Sequence, residues 1–140
     1  MEKFVIQGGV PLSGEITAAG NKNAALPILA ACLLTGEDVV LHNVPRIRDT
    51  EAQISLLANL GVEVERLGEN SLRFRAAEIG TTEVDEGLAA KIRASFLLAG
   101  PLLARFGQVS MPPPGGDTIG RRRLDPHLDA SRTQRLVVAG

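Results

Sequence analysis

A chain of 140 residues with 15 Lys and Arg against 16 Asp and Glu carries a formal charge of -1, and aromatics make up only 3%: four Phe, no Tyr, no Trp. It therefore lacks the basic field and stacking rings by which nucleic-acid readers hold a polymer, while 44% apolar content excludes a disordered chain. The length fits one domain or one part of a larger architecture, with a core of Leu, Val, Ile and Ala.

Lys3 to Gln7 alternates and is rich in β-formers, which predicts a short strand ended by Gly8-Gly9, with Glu15 to Ala19 as its partner. Asn21 is placed to cap a helix over Lys22 to Leu34, with Pro27 early enough for its missing N–H to be tolerated. Gly36 ends that helix, and Asp38 to His42 reads as a strand. Asp49 is the expected cap of a second helix, Thr50 to Leu60, with Ile54, Leu57, Ala58 and Leu60 as its apolar face and Gly61 as its stop. Val62 to Glu65 and Leu72 to Arg75 alternate around a turn at Glu69-Asn70, which predicts a hairpin. Glu83 to Glu86 gives an acidic start to a third helix from Leu88 to about Arg105, kinked or split at Gly100-Pro101. Gln108 to Met111 is the next predicted strand.

Leu33-Leu34, Val40 and Pro45 recur 69 residues later as Leu102-Leu103, Val109 and Pro114. Common residue types give such echoes by chance as readily as a repeat does. A true repeat implies a helix, strand, helix, hairpin unit present once in full and once in part, and thus a truncated architecture.

The longest apolar run, Ala24 to Leu34, has 11 residues and contains Pro27, too short to span a bilayer. The N-terminus turns polar before a signal-like core forms. A lone Cys32 excludes an internal disulfide and suits a reducing compartment. Cytoplasmic placement is expected, with no membrane and no nucleic-acid partner.

Three clusters could carry chemistry. Gly20-Asn21-Lys22-Asn23 opens a helix, where free amides, the dipole and an ammonium make an anion site; the plain alternative is a capped helix with a solvated lysine. Pro112 to Gly120 is a shaped loop presenting Asp117, which could transfer a proton if its pKa were raised, or could be an ordinary turn residue. Arg121-Arg122-Arg123, with Lys91 and Arg93, offers guanidinium forks for phosphate or carboxylate, or a solvated charge run. The charge is split accordingly: residues 1–117 hold 10 basic and 14 acidic groups, whereas 118–140 hold five Arg against Asp125 and Asp129. His42 and His127 lack partners at metal-ligand spacing, and no metal or cofactor is expected.

Four stretches in order give the pattern a family. Gly20-Asn21-Lys22-Asn23-Ala24-Ala25-Leu26-Pro27, Val44-Pro45-Arg46-Ile47-Arg48-Asp49, Lys91-Ile92-Arg93-Ala94-Ser95 and Pro114-Gly115-Gly116-Asp117-Thr118-Ile119-Gly120 resemble the UDP-N-acetylglucosamine 1-carboxyvinyltransferases. The resemblance implies an α/β fold, the inverted α/β-prism of enolpyruvyl transferases, built from repeated units and incomplete here. It covers residues 1–130 as an N-terminal portion, leaving 131–140 as a divergent tail for which a frameshift is the favoured explanation. It implies enolpyruvyl transfer from phosphoenolpyruvate to the 3-hydroxyl of UDP-N-acetylglucosamine, in peptidoglycan synthesis. Lys22 and Asn23 match phosphoenolpyruvate-contacting positions, Lys22 being also catalytic. Arg93 and Arg122 match substrate-contacting positions; together with Arg123, Leu124, Asp125 and Pro126 they are assigned to UDP-N-acetylglucosamine.

Asp117 stands where many members carry a Cys general acid. A carboxyl group, with a reference pKa near ~3.9, must be raised by burial or substrate to donate at neutral pH. It is also a poorer soft nucleophile than a thiolate, so the resemblance implies resistance to the epoxide antibiotic fosfomycin. The isolated chain, with half a site, is expected to be inactive. The alternatives are a non-catalytic fragment or weak nucleotide-sugar binder and, within the fold, a shikimate-pathway enolpyruvyl transferase.

Overall fold

The computed structural model describes residues 3–9, 11–116, 124–131 and 136–138. Helix α1, Lys22–Ala31, starts where expected: the Asn21 side chain accepts from the amides of Asn23 at 2.8 Å and Ala24 at 3.2 Å. It tightens into a 3-10 turn, Cys32–Leu34. Pro27 lies in the second turn rather than the first, so its ring withholds an N–H from the Asn23 carbonyl. Burial of Leu26, Leu29 and Ala30 holds the helix together across that lost bond.

Strand β1, Asp38–Leu41, precedes helix α2, Arg48–Asn59. Asp49 is not the cap of α2. Ile47 takes that position, and Thr50 closes the turn by accepting from the Ile47 amide at 3.3 Å. The buried face includes Gln53, Ile54, Leu56 and Leu57, with Leu60 following, while Ala58 is exposed. Gly61 ends the helix at φ +105, where an added Cβ would also crowd the Gly80 amide at 2.8 Å.

Strands β2, Glu63–Arg66, and β3, Leu72–Arg75, form the predicted hairpin, and β1 joins it in the antiparallel order β1-β3-β2. Val39 and Val64 flank Phe74, whose side chain is fully buried. The other face presents Arg73 between Asp38 at 3.1 Å and Glu65 at 2.8 Å. The period-2 alternation thus sorts core from solvent.

The third predicted helix breaks earlier than Gly100-Pro101. Helix α3, Glu86–Ala89, stops, Ile92 is extended (φ -141, ψ 141), and a 3-10 segment Arg93–Leu98 leads into helix α4, Ala99–Phe106. Pro101 is the third residue of α4, where no intrahelical N–H is required, so it does not kink the helix. Strand β4, Val109–Met111, follows; helix α5, Asp125–Ser131, and strand β5, Leu136–Val138, complete the order, with β5 parallel to β4.

No strand forms over the described part of 3–19. Phe4, Val5 and Ile6 are 93%, 96% and 88% exposed, because no described strand edge of this chain receives them. The core is mainly aliphatic: Leu29, Leu33, Leu56, Leu57, Leu72, Leu98 and Leu102 belong to one buried cluster with Phe74, its one fully buried ring. Arg105 of α4 ties the two halves of the sequence echo, donating to the carbonyls of Leu33 at 3.0 Å, Thr35 at 3.1 Å and Ala76. In both halves a helical segment runs into a short strand and a proline-bearing loop, as the echo suggested.

Candidate active site

The four motifs dock in two pairs. Gly20 lies against the chain at Asn43 and Pro45, where an added Cβ would overlap the Asn43 carbonyl oxygen. Asn43 itself turns at φ 55. Lys22, the first residue of α1, reaches Asp49 in the first turn of α2, with Nζ and Oδ2 2.6 Å apart. Close approach at Gly20 and one ion pair thus join the first motif to the second.

The third and fourth motifs join through backbone. The amides of Gly115 and Gly116 donate to the carbonyls of Ala89 and Ala90, both at 3.2 Å. A Cβ on Gly115 would overlap Ala90; one on Gly116, at φ +90, would lie 2.8 Å from the Arg93 amide. Fully buried Ser95 holds the break open: its hydroxyl lies 2.9 Å from the Ile92 carbonyl and 3.3 Å from that of Ala89. The loop is therefore seated on the break that directly precedes Arg93.

Between the pairs lies a cleft of about 380 Å³, lined by Asn23, Leu26 and Pro27 of α1, by Arg93, Ala94, Phe96 and Leu97, and by Leu124. Asn23 is exposed and Arg93 half-buried. His127 of α5 stacks at a tilt on Phe96, centroids 6.0 Å apart, which brings Leu124 to the cleft wall. Asp125 and Pro126 open α5 and are exposed. Asp117, Arg121, Arg122 and Arg123 lie outside the described residues.

The α1 start does not offer free amides at Asn23 and Ala24, because the Asn21 side chain takes both, and Ala25 donates to the Asn21 carbonyl at 2.9 Å. The polar side chains the α1 start and the cleft do present are Lys22, Asn23 and Arg93. Sequence reasoning also missed Asp49 as the partner of Lys22. A lysine at the positive end of a helix, where a cation is disfavoured, was the available signal that an anion lies close by.

Fold and cleft define an α/β segment that gathers an amide and a guanidinium over an apolar floor, with a lysine at the adjoining helix start. The sequence profile of the EPSP synthase (3-phosphoshikimate 1-carboxyvinyltransferase) family matches residues 6–134, and the chain belongs to that family. It is 54% identical over 126 residues to UDP-N-acetylglucosamine 1-carboxyvinyltransferase of Bradyrhizobium diazoefficiens, covering 90% of this chain and 29% of that protein. The enzyme of the same name from Treponema denticola is 49% identical over 128 residues, 91% of this chain and 30% of that protein. Among solved structures, the enolpyruvyl transferase NikO from Streptomyces tendae superposes with a TM-score of 0.63 at 25% identity, over 71% of this chain and 23% of that one. The fold is thus the enolpyruvyl transferase α/β fold in incomplete form, and the chain spans about 30% of the length of its curated relatives.

Proposed function

We propose that this chain is the N-terminal portion, over residues 1–130, of an enzyme that transfers the enolpyruvyl group of phosphoenolpyruvate to the 3-hydroxyl of UDP-N-acetylglucosamine. Phosphate is released, and the product enters peptidoglycan synthesis in the cytoplasm. The observation that carries this reading is the meeting of Asn23 and Arg93 in one cleft beside Lys22, with the Gly115-Gly116 seat directly before Asp117.

In this reading Lys22 and Asn23 hold the phosphoenolpyruvate anion, by an ammonium and by an amide that can both donate and accept. Arg93 meets phosphate or carboxylate from the opposite wall, with Arg122 and Arg123 following the loop. Leu124, Asp125 and Pro126 border the nucleotide-sugar side. The sugar hydroxyl adds to C2 of the enolpyruvyl group as it loses its proton to a base, while Asp117 gives a proton to C3; the tetrahedral adduct then loses phosphate together with a proton from C3, which restores the enol double bond. Asp117 directly follows the seated Gly116 in the sequence. Asp117 must be protonated to act, which desolvation under bound substrate favours.

The test replaces the matching N-terminal part of the Bradyrhizobium relative with residues 1–130 of this chain and measures phosphate release. The expected acceptor is UDP-N-acetylglucosamine, with none released on shikimate 3-phosphate; the reverse preference contradicts the reading. The same chimera is expected to keep its activity in fosfomycin and to lose it when Asp117→Cys supplies a thiolate. Irreversible inactivation with Asp117 in place rejects the resistance proposal. The 140-residue chain alone, holding half a site, is expected to release no phosphate.

A further inference from the structure

We propose that Asp49 is a positioning residue for Lys22, fixing its ammonium between the starts of α1 and α2, next to cleft-lining Asn23, before the anion arrives; this rests on the reading of Lys22 as a phosphoenolpyruvate ligand. Lys22 is the first residue of α1, where the partial positive charge of the helix end disfavours a cation. Its four-carbon stem is also free to sample many rotamers. Asp49 has the opposite setting: it lies in the first turn of α2, where the helix end favours a carboxylate. The two helix starts face each other and place the charges 2.6 Å apart, with 48% of the Lys22 side chain and 36% of the Asp49 side chain accessible.

The spacing is set by backbone rather than by the two side chains alone. Gly20 lets the segment at Asn43 and Pro45 lie against the entry to α1. The Thr50 hydroxyl bonds the Pro45 carbonyl and lies 3.0 Å from that of Ile47, which pins the first turn of α2 to that same segment. An ammonium held at one place loses less rotamer freedom when it meets a phosphate, so the pair acts as preorganisation. A competing role is conceivable on the same geometry: Asp49 would then screen Lys22, and its removal would tighten anion binding. A third is support of α2 alone, which Glu51 in the same turn also provides while pairing with Arg66 instead.

The experiment titrates phosphoenolpyruvate into the full chain, as wild type, Asp49→Asn, Asp49→Glu and Glu51→Gln. Asp49→Asn is expected to weaken binding about two- to fivefold, within the range of a half-exposed charge pair, with Asp49→Glu restoring most of the loss. Glu51→Gln is expected to leave affinity unchanged. A ligand-free readout accompanies these: reductive methylation of Lys22 should quicken severalfold in Asp49→Asn. Unchanged or tighter binding in Asp49→Asn, or an equal loss in Glu51→Gln, overturns the proposal. So does a Lys22 methylation rate that ignores Asp49, whatever the binding data. Failure of the wild-type chain to bind phosphoenolpyruvate at all would instead reject the functional reading on which the positioning role rests.

Discussion

Gly115 and Gly116 place the loop for two different reasons. At Gly115 the obstacle is space, since any Cβ overlaps the Ala90 backbone; at Gly116 it is both space and a φ of +90 that L side chains avoid. Gly115→Ala is therefore expected to lift the loop from its seat and destabilise the chain by about 1–3 kcal/mol, read by urea unfolding. A change under about 0.5 kcal/mol would show that the seat contributes nothing. Cys32 is the chain's one thiol and is buried, and burial pushes its pKa from the ordinary 9.0 up to about 11. The unfolded chain thus ionises first, so this contribution to stability is complete below pH 9 and is lost as pH rises toward 11. The unfolding midpoint should fall more steeply over that interval in the native chain than in Cys32→Ala. Parallel slopes would refute the assignment. At neutral pH a thiol reagent should label native Cys32 far more slowly than the unfolded chain.

Among the elements, those with local signals were legible in the sequence. Asn21 capped α1, the hairpin alternation gave β2 and β3 with their faces, and Gly61 and the aliphatic runs gave the stops and most of the core. Asn21→Ala should cost about 1 kcal/mol by removing acceptors from two amides, again by urea unfolding; no loss would mean that the α1 start is held by packing alone. What escaped the sequence was decided at a distance. The break at Ala90 to Ile92 is held by carbonyls that face a loop more than twenty residues on, and helix propensity does not encode that partner. The Lys22–Asp49 pair needs two helix starts brought together, so Asp49 read as a cap from its local sequence. Residues 3–7 alternate like a strand but meet no partner edge among the described residues, and alternation alone forms no ladder. Free amides at the α1 start were a wrong expectation at Asn23 and Ala24, since the cap that starts the helix also consumes them.

At the scale of the molecule, the near-neutral total hides a division of labour. Acidic groups meet the arginines of the sheet, Asp38 and Glu65 at Arg73, and Glu51 of α2 at Arg66. The cleft instead draws Asn23 and Arg93 from motifs far apart in sequence onto one apolar floor beside Lys22. That convergence is what the account of enolpyruvyl transfer depends on. Titrating phosphoenolpyruvate into the isotopically labelled 140-residue chain and following its amide resonances tests it most directly. The account predicts saturable shifts concentrated at Lys22 to Ala24 and at Arg93 to Ala94, lost in Lys22→Met. Shifts that fail to saturate, or that saturate equally in Lys22→Met, would contradict it.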